Sequence, residues 1–320
     1  MCIRDSNQGN IWAGTDGKGI FYKEIFQMDS LLVDKKQIRA LKKDPRVMVD
    51  TVLQLAFKNH SIDKRKGLLS NWIGKVQVVG NDIWVASYSS GIAKLRYDPQ
   101  RERIRSQKKF TQRNGIRDLQ IRDMQTDPDG KIWYATQNGH LGYIDRNRVT
   151  HLDNVLNKRV AIKTLLFHKN ILFLGTAGRG IWWSNIEGDL EFRKLKGKKR
   201  PYSDNIYQMI FDNAGNLWVG NERGVDKIEL NQSNEIVDVF HFGRNDGFLG
   251  IETCLNAVTK DDLGNLWFGA IHGLTKYQPT ETTKKTIKPS LHFENLEVAY
   301  QSVDSIQFSA WTNNLSLIHI

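Results

Sequence analysis

The 320-residue sequence predicts an all-β protein: a β-propeller of four-stranded blades, about six of them in an incomplete ring, followed by the beginning of a β-sandwich domain. Three observations predict this. A short signature, an aromatic flanked by apolar residues and ending on Gly or Ala, recurs at 10–14, 82–86, 131–135, 171–175, 216–220 and 265–269. Its aromatic slot holds Trp12, Trp84, Trp133, Phe173, Trp218 and Trp267. A Gly-apolar pair follows a few residues on, at Gly19-Ile20, Gly91-Ile92, Gly180-Ile181, Gly224-Val225 and Gly273-Leu274, with His140-Leu141 as the looser copy. From Trp84 onward the slots fall about 40–50 residues apart, the length of one propeller blade.

The clearest module shows how each strand arises. Ile206–Asp212 alternates Ile206, Gln208 and Ile210 against Tyr207, Met209 and Phe211, the period of a buried strand. Gly215 supplies the positive φ of a short hairpin turn, and the Asp212 carboxylate can bond the turn amides. Asn216–Gly220 returns as the second strand, Gly224 turns again, Val225–Leu230 is the third, and Glu235–Phe242 the fourth. Such modules, each packed on the next, make a propeller. The aromatic slot is then core, wedged between neighbouring sheets.

Two loop patterns invite other readings. The Asp-x-x-Gly pieces at 127–130, 212–215 and 261–264 resemble parts of calcium loops, but lack the distal Glu and are read as hairpin turns. Gly14–Gly19 and Gly175–Gly180 look like phosphate loops, yet no helix follows either and both occupy one blade position, so they too are read as turns.

The first interval, from Trp12 to Trp84, carries about twenty-five extra residues relative to a usual blade, mostly around Asp34–Phe57. A loop, a short helix and a decayed blade are all open there. The last module, Glu252 to Pro279, shows three strands, so a fourth from the other end of the ring is expected to protect its edge. Residues 280–289 form a polar linker, and 290–314 alternate as the opening strands of a separate β-domain. Met1–Ser6 and Leu315–Ile320 can be encoded by DNA strings that are reverse complements of each other, like a transposon end used in sequencing adapters. Residues 1–6 and 315–320 are therefore read as non-native adapter-derived scars, leaving 7–279 as a propeller fragment of a longer chain.

The formal charge of +11 raises nucleic acid and membrane surfaces as partners. The basic runs Arg101–Lys109 and Arg193–Arg200 fall between signature copies, where outer strands and loops belong, and interleave no aromatics as a single-strand groove does. They are read as solvated loops, with no direct nucleic-acid binding. With Cys2 set aside, Cys254 is the one cysteine, so no disulfide framework is expected; no cofactor or metal is expected either. No apolar run is long enough to span a membrane.

The repeat D-x-x-G-N-L-W-V-G-x-x-x-G at 212–224 resembles the two-component regulator propeller repeats of bacterial hybrid histidine kinases and related membrane-anchored regulators. Lys66-Gly-Leu-Leu-Ser-Asn71 resembles that family's lead-in, with Lys66 and Leu69 departing from it. Asn245–Glu252 with Asn256-Ala257, and Tyr277-Gln-Pro279, resemble its final blade. The segment after Pro289 is similar to the start of the immunoglobulin-like domain bearing three tyrosines that follows such propellers. The resemblance implies a periplasmic sensor that takes a small molecule or oligosaccharide, dimerises in the intact protein, and signals to a cytoplasmic kinase or DNA-binding output. The fragment itself carries no kinase histidine box and reaches the membrane only through missing segments.

Two alternatives stand beside the sensor. Asp127–Asp145 resembles a blade of the streptogramin lyase propellers, which would need a metal-linked His and Glu cluster; His140, Glu222 and His272 are the candidates. A propeller scaffold binding another protein on its rim is the third reading. If a ligand site exists, meander topology places it where the second-to-third-strand loops share a face with the connections between blades. Those loops carry Tyr88, Gln137, Asn138, His140, Arg179, Glu222, Arg223 and His272, and the connections add Trp72, Arg117 and Asp246. Aromatic, amide and charged groups together suit sugar or acidic-sugar recognition, although loops of any propeller are polar.

Overall fold

The computed structural model describes residues 2–5, 10–24, 61–63, 67–279 apart from 99, 102, 154, 157 and 158, and the pairs 297–298 and 301–302. The insert around Asp34–Phe57 and most of 290–314 lie outside the described residues. The chain divides into two units, Met1–Pro279 and Thr280–Ile320. In the second, Glu297–Val298 pairs with Gln301–Ser302 as a small hairpin.

The first unit is a series of antiparallel meanders. Blade one holds β1 (Cys2–Asp5), β2 (Asn10–Gly14), β3 (Ile20–Glu24) and β4 (Ser61–Ile62). Blade two holds β5 (Ile73–Val79), β6 (Asp82–Ser87), β7 (Ile92–Asp98) and β8 (Arg103–Phe110). Blade three is β9 (Ile121–Thr126), β10 (Ile132–Thr136), β11 (Leu141–Asp145) and β12 (Arg148–Leu152). Blade four is β13 (Ile162–His168), β14 (Ile171–Thr176), β15 (Ile181–Asn185) and β16 (Arg193–Lys194). Blade five is β17 (Gln208–Phe211), β18 (Leu217–Asn221), β19 (Gly224–Leu230) and β20 (Ile236–Phe242). Blade six has three strands, β21 (Thr253–Lys260), β22 (Leu266–Ala270) and β23 (Gly273–Tyr277). Cys2–Asp5, which the sequence reading sets aside as a scar, pairs with β2 as the first strand of its blade. Such pairing asks only for an extended backbone along the free edge of β2.

The core lies between blades. Trp12 packs with Ile73, Val76 and Ile83 of blade two, and Trp84 with Ile121, Met124 and Tyr134 of blade three. Trp133 meets Ile162 and Leu165 of blade four, Phe173 meets Met209 and Phe211 of blade five, and Trp218 meets Leu266 and Phe268 of blade six. Each slot aromatic therefore faces the following blade. Trp267, expected to be core, is only half-buried, because no described blade follows it, and Lys276 Nζ lies 5.3 Å from its ring centroid. Leu263 and Leu274 of the same blade are exposed.

In three blades the Asp-x-x-Gly turn also holds the slot Trp. Asp212 accepts the Asn216 N–H and side-chain amide and the Trp218 indole N–H, each at 2.8 Å. Asp261 repeats this with Asn265 and Trp267, and Asp127 with Lys131 N–H and Trp133. One carboxylate thus closes the turn and satisfies the buried indole. Blade four turns instead through Lys169 and Asn170, with His168 facing Ile171 across the hairpin, and its slot is Phe173, which has no N–H to satisfy. The indole bond holds the Asp261 carboxyl at about 2, well below the usual carboxylate range, helped by Asn265.

The loops resembling phosphate cradles are turns braced by a hydroxyl. Thr15, Ser87 and Thr176 each donate to the carbonyl four residues on, and each accepts a loop amide.

At the ring's inner wall, Lys75 of β5 and Asp123 of β9 form a 2.6 Å ion pair and are almost fully buried. Asp123 also accepts the Leu165 N–H of β13 at 2.8 Å, so one carboxylate ties three consecutive blades. Removing one partner strands a buried charge. Lys75→Met is expected to cost about 3–5 kcal/mol in chemical unfolding. Asp212→Ala, which orphans the buried Trp218 indole, is expected to cost about 1–3 kcal/mol in the same measurement. Loss of neither would refute these assignments.

Candidate ligand-binding face

The innermost strands begin with a shared irregularity. In β5, β9 and β13 the register against the second strand slips by one, so that Gly74, Arg122 and Lys163 are the extra residues. Tyr207 holds the same repeat position in blade five, its N–H bonding Gly220 O beside the Gln208–Gly220 pair. A bulge turns its side chain out of the alternating pattern. Here it delivers a guanidinium, an ammonium and a phenol to one end of the ring.

Asn256 of blade six holds these positions together. Its side-chain amide donates to Arg122 O at 3.1 Å and Lys163 O at 3.4 Å, and its backbone N–H donates to Tyr207 O at 2.9 Å. Asn256 sits at φ 55°, a left-handed conformation that Asn adopts more readily than most residues.

Around this hub lies a basin of paired charges and aromatic faces. Lys163 Nζ stands 4.0 Å from the Tyr207 ring centroid and 3.3 Å from Asn205 Oδ1. The Arg122 guanidinium lies over Tyr88 at 5.9 Å and donates to Gln137 Oε1 at 2.6 Å. The Ser203 hydroxyl bonds the Glu222 carboxylate at 2.7 Å. Burial lowers the Lys163 pKa, against the opposing pull of Glu222 and Glu252. Burial raises that of Tyr207, and the charges of Glu252 and Glu222 and a hydrogen bond to Glu252 push the same way.

Of the residues picked from sequence, Tyr88, Gln137 and Glu222 join this basin. The others serve their own blades. Trp72, 55% exposed, bridges to Asp16 of the first blade, and Arg117 pairs with Asp153. The Asn138 N–H bonds Asp118, and the His140 N–H bonds Thr136. Asp246 caps its own turn through the Gly243 N–H. Arg179 and Arg223 lie on the turns of blades four and five, and His272 is exposed on blade six. His140, Glu222 and His272, the cluster a lyase would need, are not gathered: among the described residues no three His, Cys, Asp or Glu side chains form a metal-binding group. Sequence reasoning missed Arg122, Lys163, Tyr207, Glu252 and Asn256. The signal was the recurring Ile-x-polar start of the inner strands, at Ile73, Ile121, Ile162 and Ile206.

Glu252→Gln removes an anion from both titrating neighbours. The Lys163 pKa is expected to fall further, because its ammonium loses an attractive charge, and the Tyr207 pKa is expected to fall because its phenolate loses a repulsive one. NMR titration of the two side chains checks both signs; an unchanged Tyr207 would remove Glu252 from the basin.

Residues 203–223 match the family described as two component regulator propeller. A histidine kinase, P4, of Formosa agariphila is 23% identical over 69% of this chain, and the chain spans 16% of that kinase's length. Among solved structures, the extracellular domain named as that of a one component system from B. thetaiotaomicron superposes with a TM-score of 0.57 at 15% identity, covering 86% of this chain and 32% of that one. Virginiamycin B lyase from Staphylococcus aureus superposes with a TM-score of 0.55 at 14% identity, covering 88% of this chain and 84% of the lyase. At these identities the structural likenesses establish the β-propeller fold. No helix among the described residues is long and apolar enough to cross a membrane.

Proposed function

We propose that the chain is the sensory part of a membrane-anchored bacterial two-component regulator, and that its ligand, a small molecule or oligosaccharide, binds in the basin around Lys163 and Tyr207. One observation carries this reading. The segment that matches the two component regulator propeller family, 203–223, is the segment that supplies Ser203, Asn205, Tyr207 and Glu222 to the basin. The basin offers what a sugar needs: aromatic faces for its C–H surfaces, and paired acids, amides and cations for its hydroxyls. Its charged groups are already held by neighbouring amides, a hydroxyl and aromatic rings, so a ligand exchanges partners with groups fixed in place, which lowers the ordering cost of binding.

In the intact protein this module lies outside the cytoplasmic membrane, in the periplasm, and works as a homodimer. The propeller itself performs no chemistry; a kinase or DNA-binding region elsewhere in the parent carries the output. Residues 290–314 begin the immunoglobulin-like domain that leads toward the membrane, after the 280–289 linker.

Thermal unfolding of the chain with a panel of neutral and acidic tetrasaccharides tests the reading. One member is expected to raise Tm with concentration, by an amount equivalent to about 2.7 kcal/mol at a hundredfold excess over Kd. Lys163→Met and Tyr207→Ala are expected to abolish that shift, and the Arg179→Ala, Arg223→Ala double variant to weaken it if the rim takes part. A shift that survives Lys163→Met and Tyr207→Ala would move the site off the basin.

A further inference from the structure

A second built site lies away from the basin, in the groove between the outer parts of blades four and five. We propose that this groove binds a sugar ring bearing a carboxylate or sulfate. The groove encloses about 390 Å³ and is lined by Lys194, Lys196, Lys199, Arg200, Tyr202 and Ser203, among others. That volume falls within the roughly 300–1,000 Å³ of small-molecule sites.

Its aromatic wall is braced from below. The Tyr202 ring stacks on His241 with centroids 4.0 Å apart and planes 13° from parallel, yet Tyr202 is 58% exposed. His241 Nδ1 bonds Asp226 Oδ1 at 2.6 Å, while Asp226 Oδ2 accepts the Tyr202 N–H at 2.8 Å. A fully buried carboxylate therefore fixes both the backbone and the stacking partner of an exposed ring. Stacking on His241 takes one face of the phenol, and the other is left as a platform for the C–H face of a sugar.

The cationic wall is also held. The connection after β16 is stitched to blade five: Gly197 bridges Ile236 in parallel, Ile236 N–H bonds Lys196 O at 2.8 Å, and Lys198 N–H bonds Ile236 O at 3.2 Å. A Cβ at Gly197 would stand 2.0 Å from Ile236 O, so the chain can lie this close only with glycine there. Lys194 is paired with Asp204 and Lys199 with Asp238, whereas Lys196 and Arg200 make no ion pair among the described residues. Two unneutralised cations beside an immobilised aromatic face call for an anion attached to a ring. Ser203 and Asp204 supply acceptors for that ring's hydroxyls. A nucleic-acid track would need successive aromatic platforms, and the groove has one. The basic run Arg193–Arg200, read from sequence as solvated loop, thus gains a partner of defined chemistry.

Ser203, whose hydroxyl bonds Glu222, is the one residue the groove shares with the basin, and the inference otherwise stands apart from the sensory reading. Isothermal titration of the 320-residue chain with a sulfated tetrasaccharide, a uronic-acid tetrasaccharide, a neutral tetrasaccharide, inorganic sulfate and oligothymidylate tests it. At least one acidic sugar is expected to bind more tightly than the neutral sugar and than sulfate alone. With the titrations run in the Lys163→Met background, in which the basin is silenced, Tyr202→Ala and the double variant Lys196→Gln, Arg200→Gln are each expected to weaken it about tenfold or more, while Tyr202→Phe leaves it within about twofold. Circular dichroism and Tm confirm that the variants fold. Equal binding of sulfate and acidic sugar, tighter binding of oligothymidylate, or unchanged affinity in Tyr202→Ala would overturn the proposal.

Discussion

Each of the first five blades buries its slot aromatic against the blade that follows, and the structure depends on this one-directional contact. Five core clusters join six sheets, and each cluster spans a boundary. A sheet four strands wide cannot cover its own faces, so no blade owns a complete core. The polar tie from Asp123 to Lys75 and Leu165 runs the same way, from sheet to sheet at the inner wall.

The same requirement places the chemistry. Inner strands must crowd together at the axis, and a one-residue bulge lets them do so while turning Arg122, Lys163 and Tyr207 out of the packing pattern. Asn256 then converts three separate irregularities into one surface by donating an N–H to the carbonyl of each. Basin and groove differ in how their cations are held: in the basin Arg122 and Lys163 are hydrogen-bonded to the amide oxygens of Gln137 and Asn205, whereas the groove presents Lys196 and Arg200 to an anion.

The repeat, its turns and the order of strands were legible in the sequence because they are local. Asp212, Gly215 and Trp218 lie within seven residues of one another, and the turn they make needs nothing from elsewhere. The indole's bond to the turn carboxylate was less visible, since Phe173 in one blade suggested that only apolar bulk mattered. The basin was hidden for a different reason. Alternation alone does not single out Arg122, Lys163 and Tyr207, and the recurring Ile-x-polar start marks the bulge only once its register is known. Their convergence with Asn256 depends on contacts 93 and 134 residues apart, which only the curved succession of sheets creates.

The forward direction of the slot contacts has a consequence for synthesis. A chain emerging N-terminus first exposes Trp12 until Ile73 and Val76 are made, Trp84 until Ile121 and Met124 are made, and so on around the curve. Every newly finished sheet presents a sticky leading face, and the next one quenches it. The folding propeller therefore carries one uncapped hydrophobic front that advances from the N-terminal blade onward, and the interval between one blade and the next is the moment at which a chaperone would find it.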